Sequence, residues 1–139
     1  MKIVNLAFVG VGNFVAGHHL PNVKANPGLH IRALCDLNSD LLAQRQEQFG
    51  GDYVTTDANE IFNDPTVDLV IIGTRHDQHA PLSIRAAQAG KDVFCEKPMA
   101  HTLEQMGEVV RVMRQTGRRY MVGHNRRFAP AMLAAKKII

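Results

Sequence analysis

The chain contains no tryptophan and only two tyrosines, and aromatic residues total 6% of its 139 positions. With hydrophobic residues at 45% and charged residues at 21%, a packed core is expected, and aliphatic side chains must supply most of it. No apolar run approaches the roughly 20 residues needed to span a bilayer, which excludes a transmembrane helix as the reading of any segment. The N-terminal stretch MKIVNLAFVGVGNF has the charge and apolarity of a signal peptide. Its glycines and regular pattern fit a first strand better, and no clean small-x-small cleavage site follows. The expected location is therefore the cytoplasm, with no membrane partner. Cysteine is scarce too. Cys35 and Cys95 each end an apolar run and read as buried free thiols; a disulfide does not suit a reducing compartment, and no further ligands stand at metal spacing, so no metal site is expected. Finally, no acidic residue follows Glu108, whereas Arg111, Arg114, Arg118, Arg119, Arg126, Arg127, Lys136 and Lys137 do. A basic tail of this kind can mean nucleic acid. These charges are spread over two helices and a strand with no accompanying motif, so no nucleic-acid partner is expected.

What is present is an alternation of strands and helices. Lys2–Val9 is rich in strand formers and runs into Gly10-Val11-Gly12, after which a helix is expected from Asn13 to about Asn26, kinked or restarted at Pro21 and ended by Pro27-Gly28. His30–Cys35 is the second strand, closed by Asp36. Asn38 or Ser39 caps a helix reaching Phe49, which Gly50-Gly51 stops. Tyr53–Thr55 is a short third strand, and Asp57-x-x-Glu60 is a capping box for a short helix. Val67–Ile72 is nearly all apolar, as expected of a strand covered on both faces. After a loop over Gly73–Gln78, Pro81 suits the first turn of a helix that ends at Gly90. Asp92–Cys95 is the fifth strand, Thr102-x-x-Gln105 caps the next helix, and Arg119–Val122 is the sixth strand. Pro130 opens a last helix that meets no stop signal.

This alternation predicts an α/β fold with a doubly wound parallel sheet, a Rossmann fold of strand order 3-2-1-4-5-6. Strands 2 and 5 are not neighbours in that order, a second argument against a Cys35–Cys95 disulfide. The domain is expected over residues 1–124. Residues 125–139 are expected to begin a connecting helix toward a second domain, the alternative being a short tail folded back on the sheet.

The strongest local signal is the first strand–turn–helix. Gly10 and Gly12 remove side chains where the chain turns, so backbone can approach a diphosphate, and the N–H groups opening the next helix point at its charge. The third fingerprint position, ordinarily Gly or Ala, is Val15, which weakens the match and leaves structural glycines as an alternative. Asp36 closes the second strand, where a carboxylate accepts hydrogen bonds from an adenosine ribose. It would also repel a 2′-phosphate, and Leu37-Asn38 brings no arginine to offset this, so NAD is expected as cofactor over NADP. A solvated aspartate before a helix cap is the plainer alternative. The loop GTRHDQH after strand four lies at the carboxyl edge, where open α/β sheets bind ligands. His76 and His79 are an incomplete metal set, so they read either as hydrogen-bonding groups for a ligand or as part of a polar loop. Lys97, after strand five, reads as a partly buried ammonium able to donate to a substrate hydroxyl and join a proton relay, with Pro98 ending the strand. Glu96 reads as a partner for a cofactor sugar hydroxyl or as the group that orients Lys97. The alternative for Lys97 is a surface lysine at a strand end.

The segments GVGNFVAGHHLP, ALCDLN, TRHDQHAP, CEKPMA and VGHNRRFAP occur together and in order over nearly the whole chain. In this the chain resembles the N-terminal half of the Gfo/Idh/MocA oxidoreductases, the glucose–fructose oxidoreductase and inositol dehydrogenase family. The resemblance implies a nicotinamide-dependent oxidoreductase acting on carbon–hydroxyl groups, often of sugars or polyols. It implies that Gly10, Val11, Gly12, Asn13 and Phe14 form the phosphate turn and that Asp36, with Leu37 beside it, meets the ribose. Thr74, Arg75, His76 and His79 fall in the loop beside the nicotinamide half. Glu96 and Lys97 are the EKP pair, whose lysine takes part in catalysis, and Asn125 and Arg126 follow strand six near the cofactor. Arg75 departs from the proline usual there. The family's second domain, which carries most substrate contacts and the usual acid/base residue, is not in this chain, so the chain alone is expected to bind dinucleotide without turnover. Homo-oligomers are expected of a full-length version. A non-catalytic dinucleotide-binding or redox-sensing module is the competing class. A methyltransferase using S-adenosylmethionine is another, and it leaves EKP unexplained.

Overall fold

The computed structural model describes residues 3–138; Lys2 and Ile139, expected in the first strand and last helix, lie outside them. Strands β1 (Val4–Val9), β2 (Leu29–Cys35), β3 (Tyr53–Thr55), β4 (Leu69–Ile72), β5 (Asp92–Cys95) and β6 (Tyr120–Val122) alternate with helices α1 (Asn13–Lys24), α2 (Ser39–Phe49), α3 (Ala58–Asn63), α4 (His79–Gln88) and α5 (Leu103–Thr116), and α6 (Pro130–Lys136) follows. The strands form one sheet in the order β3-β2-β1-β4-β5-β6, and every pairing is parallel. This is the doubly wound order that the sequence pattern predicts.

Side chains alternate across β1. Leu6 and Phe8 point into a cluster shared with Val15, Leu20 and Leu42 of α1 and α2. Ala7 and Val9 point into the opposite cluster, with Ile61, Leu82, Ala86 and Val109 of α3, α4 and α5. Phe8 is fully buried, which contributes on the order of 2–3 kcal/mol relative to exposure. Two layers of helices therefore enclose the central strands and leave the carboxyl edge, where the loops converge, open to ligands.

The local signals hold with adjustments. Asn38 Oδ1 accepts from the Leu41 N–H at 3.0 Å, Asp57 Oδ1 from that of Asn59 at 2.9 Å, and Thr102 Oγ1 from that of Gln105 at 3.2 Å. The Gln105 side chain reaches back to the N–H of His101 rather than of Thr102, closing the box one residue earlier than the pattern suggests. Pro21 does not break α1, which runs through it. Pro21 and Gly17, whose carbonyl the proline cannot serve, are both exposed, so the unserved carbonyl is on the solvent side of the helix and not in the core. β4 starts at Leu69, because Val67 is still held in a turn by the Asp64 carbonyl. α4 starts at His79, after a single 3₁₀ turn over His76–Gln78, with Pro81 in its first turn. Cys35 and Cys95 are free and buried, on strands separated by β1 and β4. Among the described residues no helix is long and apolar enough to cross a membrane.

Candidate functional site

At the carboxyl edge the parallel ladder carries on into the turns: the Gly10 N–H donates to Cys35 O at 2.8 Å and the Gly73 N–H to Val9 O at 2.9 Å. This draws the turn after β1 against the turn after β4. Gly10 has φ 86°, and a Cβ there would lie 2.7 Å from Thr74 N and 2.8 Å from Gly73 C, so both the backbone conformation and the close approach require glycine. Gly12 is different. Its backbone is ordinary, and a Cβ there would meet nothing within 4 Å; the space beyond it belongs to the cleft. Val15, in the third fingerprint position, is buried, and a Cβ on Gly73 would come within 2.3 Å of its Cγ2. The room that a small third residue ordinarily makes between helix and strand is thus made here from the strand side, by Gly73.

Asp36 fixes the turn. Its Oδ2 accepts from the buried Val11 N–H at 2.9 Å, and its Oδ1 from the Asn38 N–H at 3.2 Å. α1 begins beyond, with no side-chain cap and no acidic residue in its first turn, which leaves its leading N–H groups free to meet an anion. A cleft of about 930 Å³ lies over this turn, lined by Gly10, Gly12, Asn13, Phe14, Asp36 and Leu37, and on its other wall by Thr74, Arg75 and His76. That volume is at the upper end of the usual range for small-molecule sites. Val11 contributes from below rather than at the surface, since it is fully buried.

Sequence reasoning missed part of this wall. Thr56, Asp57 and Ala58, after β3, line the cleft, as do Arg85 and His101. Position after a parallel strand was the available signal for the first three. Nothing in the sequence brings Arg85 to the edge, where its guanidinium bonds Asn59 and lies over the Phe62 ring.

A second cleft of about 840 Å³ is lined by Lys97, His124, Asn125, Arg126 and Met132. Lys97 is exposed, not partly buried as its position at a strand end suggested, because no element of the described residues closes over it. Glu96 is buried and lines neither cleft. Its Oε1 accepts from His19 Nε2 of α1 at 2.7 Å, and its Oε2 from the Lys97 N–H at 3.2 Å. Of the two roles expected for Glu96, the geometry serves the orientation of Lys97. Gly123 makes this possible, since a Cβ there would fall 2.8 Å from Glu96 Oε1.

His79 is buried beneath the two loops. Nδ1 lies 2.6 Å from Pro98 O and Nε2 3.1 Å from Thr74 O. Carbonyls only accept, so both ring nitrogens must donate, and the imidazolium is the form that fits. Burial pushes the imidazole down, but hydrogen bonds with Cys95 and with these carbonyls outweigh it and raise the pKa to about 9. His79 therefore ties the loop after β4 to the one after β5 and touches neither cleft. Among the described residues no group of three or more His, Cys, Asp or Glu is placed to hold a metal ion.

Comparison with known proteins agrees with this geometry. Residues 4–124 match the family described as an oxidoreductase family with an NAD-binding Rossmann fold, Gfo/Idh/MocA. An inositol 2-dehydrogenase of Rhizobium meliloti is 34% identical over 136 residues, covering 98% of this chain and 40% of that protein. A levoglucosan dehydrogenase of Pseudarthrobacter phenanthrenivorans is 32% identical over 146 residues, covering 100% and 37%. Among solved structures, myo-inositol 2-dehydrogenase from Lactobacillus plantarum superposes with a TM-score of 0.90 at 25% identity, over 99% of this chain and 41% of that one. The chain thus spans about two fifths of the length of the relatives it matches.

Proposed function

The chain belongs to the Gfo/Idh/MocA oxidoreductase family, and on that premise we propose that it carries NAD for hydride transfer to or from a carbon–hydroxyl group of a sugar or polyol. The relatives named for inositol and levoglucosan support that substrate class. The observation that carries the reading is the glycine turn held by Asp36, with Val11 N–H on Oδ2 at 2.9 Å and open space over Gly12.

The residues fit the cofactor. The Gly10–Phe14 turn and the first N–H groups of α1 would hold the diphosphate, Asp36 the adenosine ribose, and Thr74, Arg75 and His76 the facing wall. Lys97, Asn125 and Arg126 line the second cleft, which would receive the nicotinamide end. Bound NAD would supply the carbon that accepts or gives the hydride. The Lys97 ammonium would donate a hydrogen bond to the substrate hydroxyl and help move its proton, while Glu96 and His79 hold its loop from below. Asp36 disfavours a 2′-phosphate by charge, and Leu37 beside it brings no cation.

Fluorescence titration of the chain with NADH and NADPH tests this. NADH is expected to bind more tightly. Equal affinities would remove the role given to Asp36, and no binding of either would remove the whole reading.

A further inference from the structure

The buried stripe of α2 consists of Leu42, Arg45 and Phe49, at the i, i+3, i+7 spacing of a core-facing helix. An arginine occupies the middle of it, 9% exposed. Burying a guanidinium is costly unless it is paired with opposite charge. The groups to which Arg45 donates are all neutral: Val11 O from Nε at 3.2 Å, Asn13 Oδ1 from Nη2 at 3.1 Å, and Gln48 Oε1 from Nη1 at 3.4 Å. A cation therefore sits under the glycine turn without a bonded carboxylate.

These bonds set the donors above it. A trans peptide points its C=O and N–H in opposite directions. With the Val11 carbonyl drawn to Arg45, the Gly12 N–H of the same peptide is directed away from the guanidinium. A guanidinium only donates, so the Asn13 end facing it must be the oxygen, and the Asn13 amide NH₂ is left for the cleft that Asn13 lines. Asp36 grips Val11 by its N–H and Arg45 grips it by its carbonyl, so opposite charges clamp one residue from two sides.

We propose that Arg45 is a positioning residue for the cofactor diphosphate, fixing the Gly12 N–H and the Asn13 amide as donors and supplying a buried positive charge that the bound diphosphate complements. This rests on the dinucleotide reading above. It names a residue outside the glycine turn, on a helix that the fingerprint does not include.

The test compares Arg45→Met, which keeps the length and fills the apolar stripe, with the unaltered chain. Affinities for NADH, ADP-ribose and adenosine are measured by fluorescence titration and competition, and ligand-free stability by thermal unfolding. Losing the buried charge removes its desolvation cost but strands the buried Val11 carbonyl, and with these two effects opposed the ligand-free melting temperature is expected to change little. Binding of NADH and ADP-ribose is expected to weaken roughly tenfold or more, while adenosine, which has no phosphate, binds as before. Unchanged ADP-ribose affinity would overturn the proposal, and so would equal weakening of ADP-ribose and adenosine, which marks general damage to the cleft. If Arg45→Met does not fold, Arg45→Gln is read by the same comparison. Failure of the unaltered chain to bind any dinucleotide defeats the reading beneath, whereas a binding-competent Arg45→Met defeats this inference alone.

Discussion

A methyl group added to Gly10 would press on the Thr74 nitrogen at 2.7 Å in a backbone conformation that L residues avoid, whereas one added to Gly12 would touch no protein atom. Gly10→Ala is therefore expected to cost a few kcal/mol of stability, from positive φ and from the clash, and to lower the urea midpoint. Gly12→Ala is expected to leave that midpoint nearly unchanged and to weaken NADH binding roughly tenfold, since the methyl occupies the space open to a diphosphate. Urea unfolding and NADH titration of both variants decide it; a Gly12→Ala chain that binds normally would mean the ligand does not approach there. In the sequence the two glycines look alike, because the pattern states where side chains are missing and not what each gap faces. Val15 reads as a flaw in the fingerprint for the same reason, since Gly73, which compensates, is distant in the chain. The direction of Glu96 is equally hidden, because His19 reaches it across the fold.

The loops after β4 and β5 meet through one ring, with His79 donating to Thr74 O and Pro98 O. Protonation favours this bridge, and the sign of its pH dependence follows. With the folded pKa raised to about 9 above an unfolded value of about 6.5, the stabilisation is complete below about pH 6.5. It declines as pH rises and is lost above about 9. Its size, for a fully buried group, is on the order of a few kcal/mol. Thermal unfolding between pH 6 and 9.5 should show a fall in melting temperature that His79→Gln largely removes. An identical slope in the variant would mean that the His79 bridge is not its source. At this scale the sequence was informative about order and less so about edges. Alternating strand and helix patterns specified the sheet order, because right-handed crossovers leave few alternatives. The start of β4 was misplaced by two residues because a turn hydrogen bond at Val67 overrides the apolar pattern.

The sheet joins both halves of the molecule. β1 and β4 pair at its centre, and one continuous cluster runs along one face from Ala33 and Cys35 on β2 to Val93 and Cys95 on β5. A core shared in this way gives no seam at which one half can open first, so unfolding should be a single transition. The two thiols are built-in reporters, one in each half of that cluster. Burial, with Asp36, Asp57 and Glu60 nearby, raises the Cys35 thiol pKa to about 12, and Cys95 is fully buried. A bulky thiol reagent should therefore modify neither in the native state. Under urea both should become reactive at one midpoint, coincident with the loss of helical circular dichroism. Saturating NADH should move all three signals upward together, since a ligand that binds only the folded chain stabilises the entire cooperative unit. A Cys95 signal that appears at lower urea than the Cys35 signal would show that the β4–β5–β6 half opens by itself.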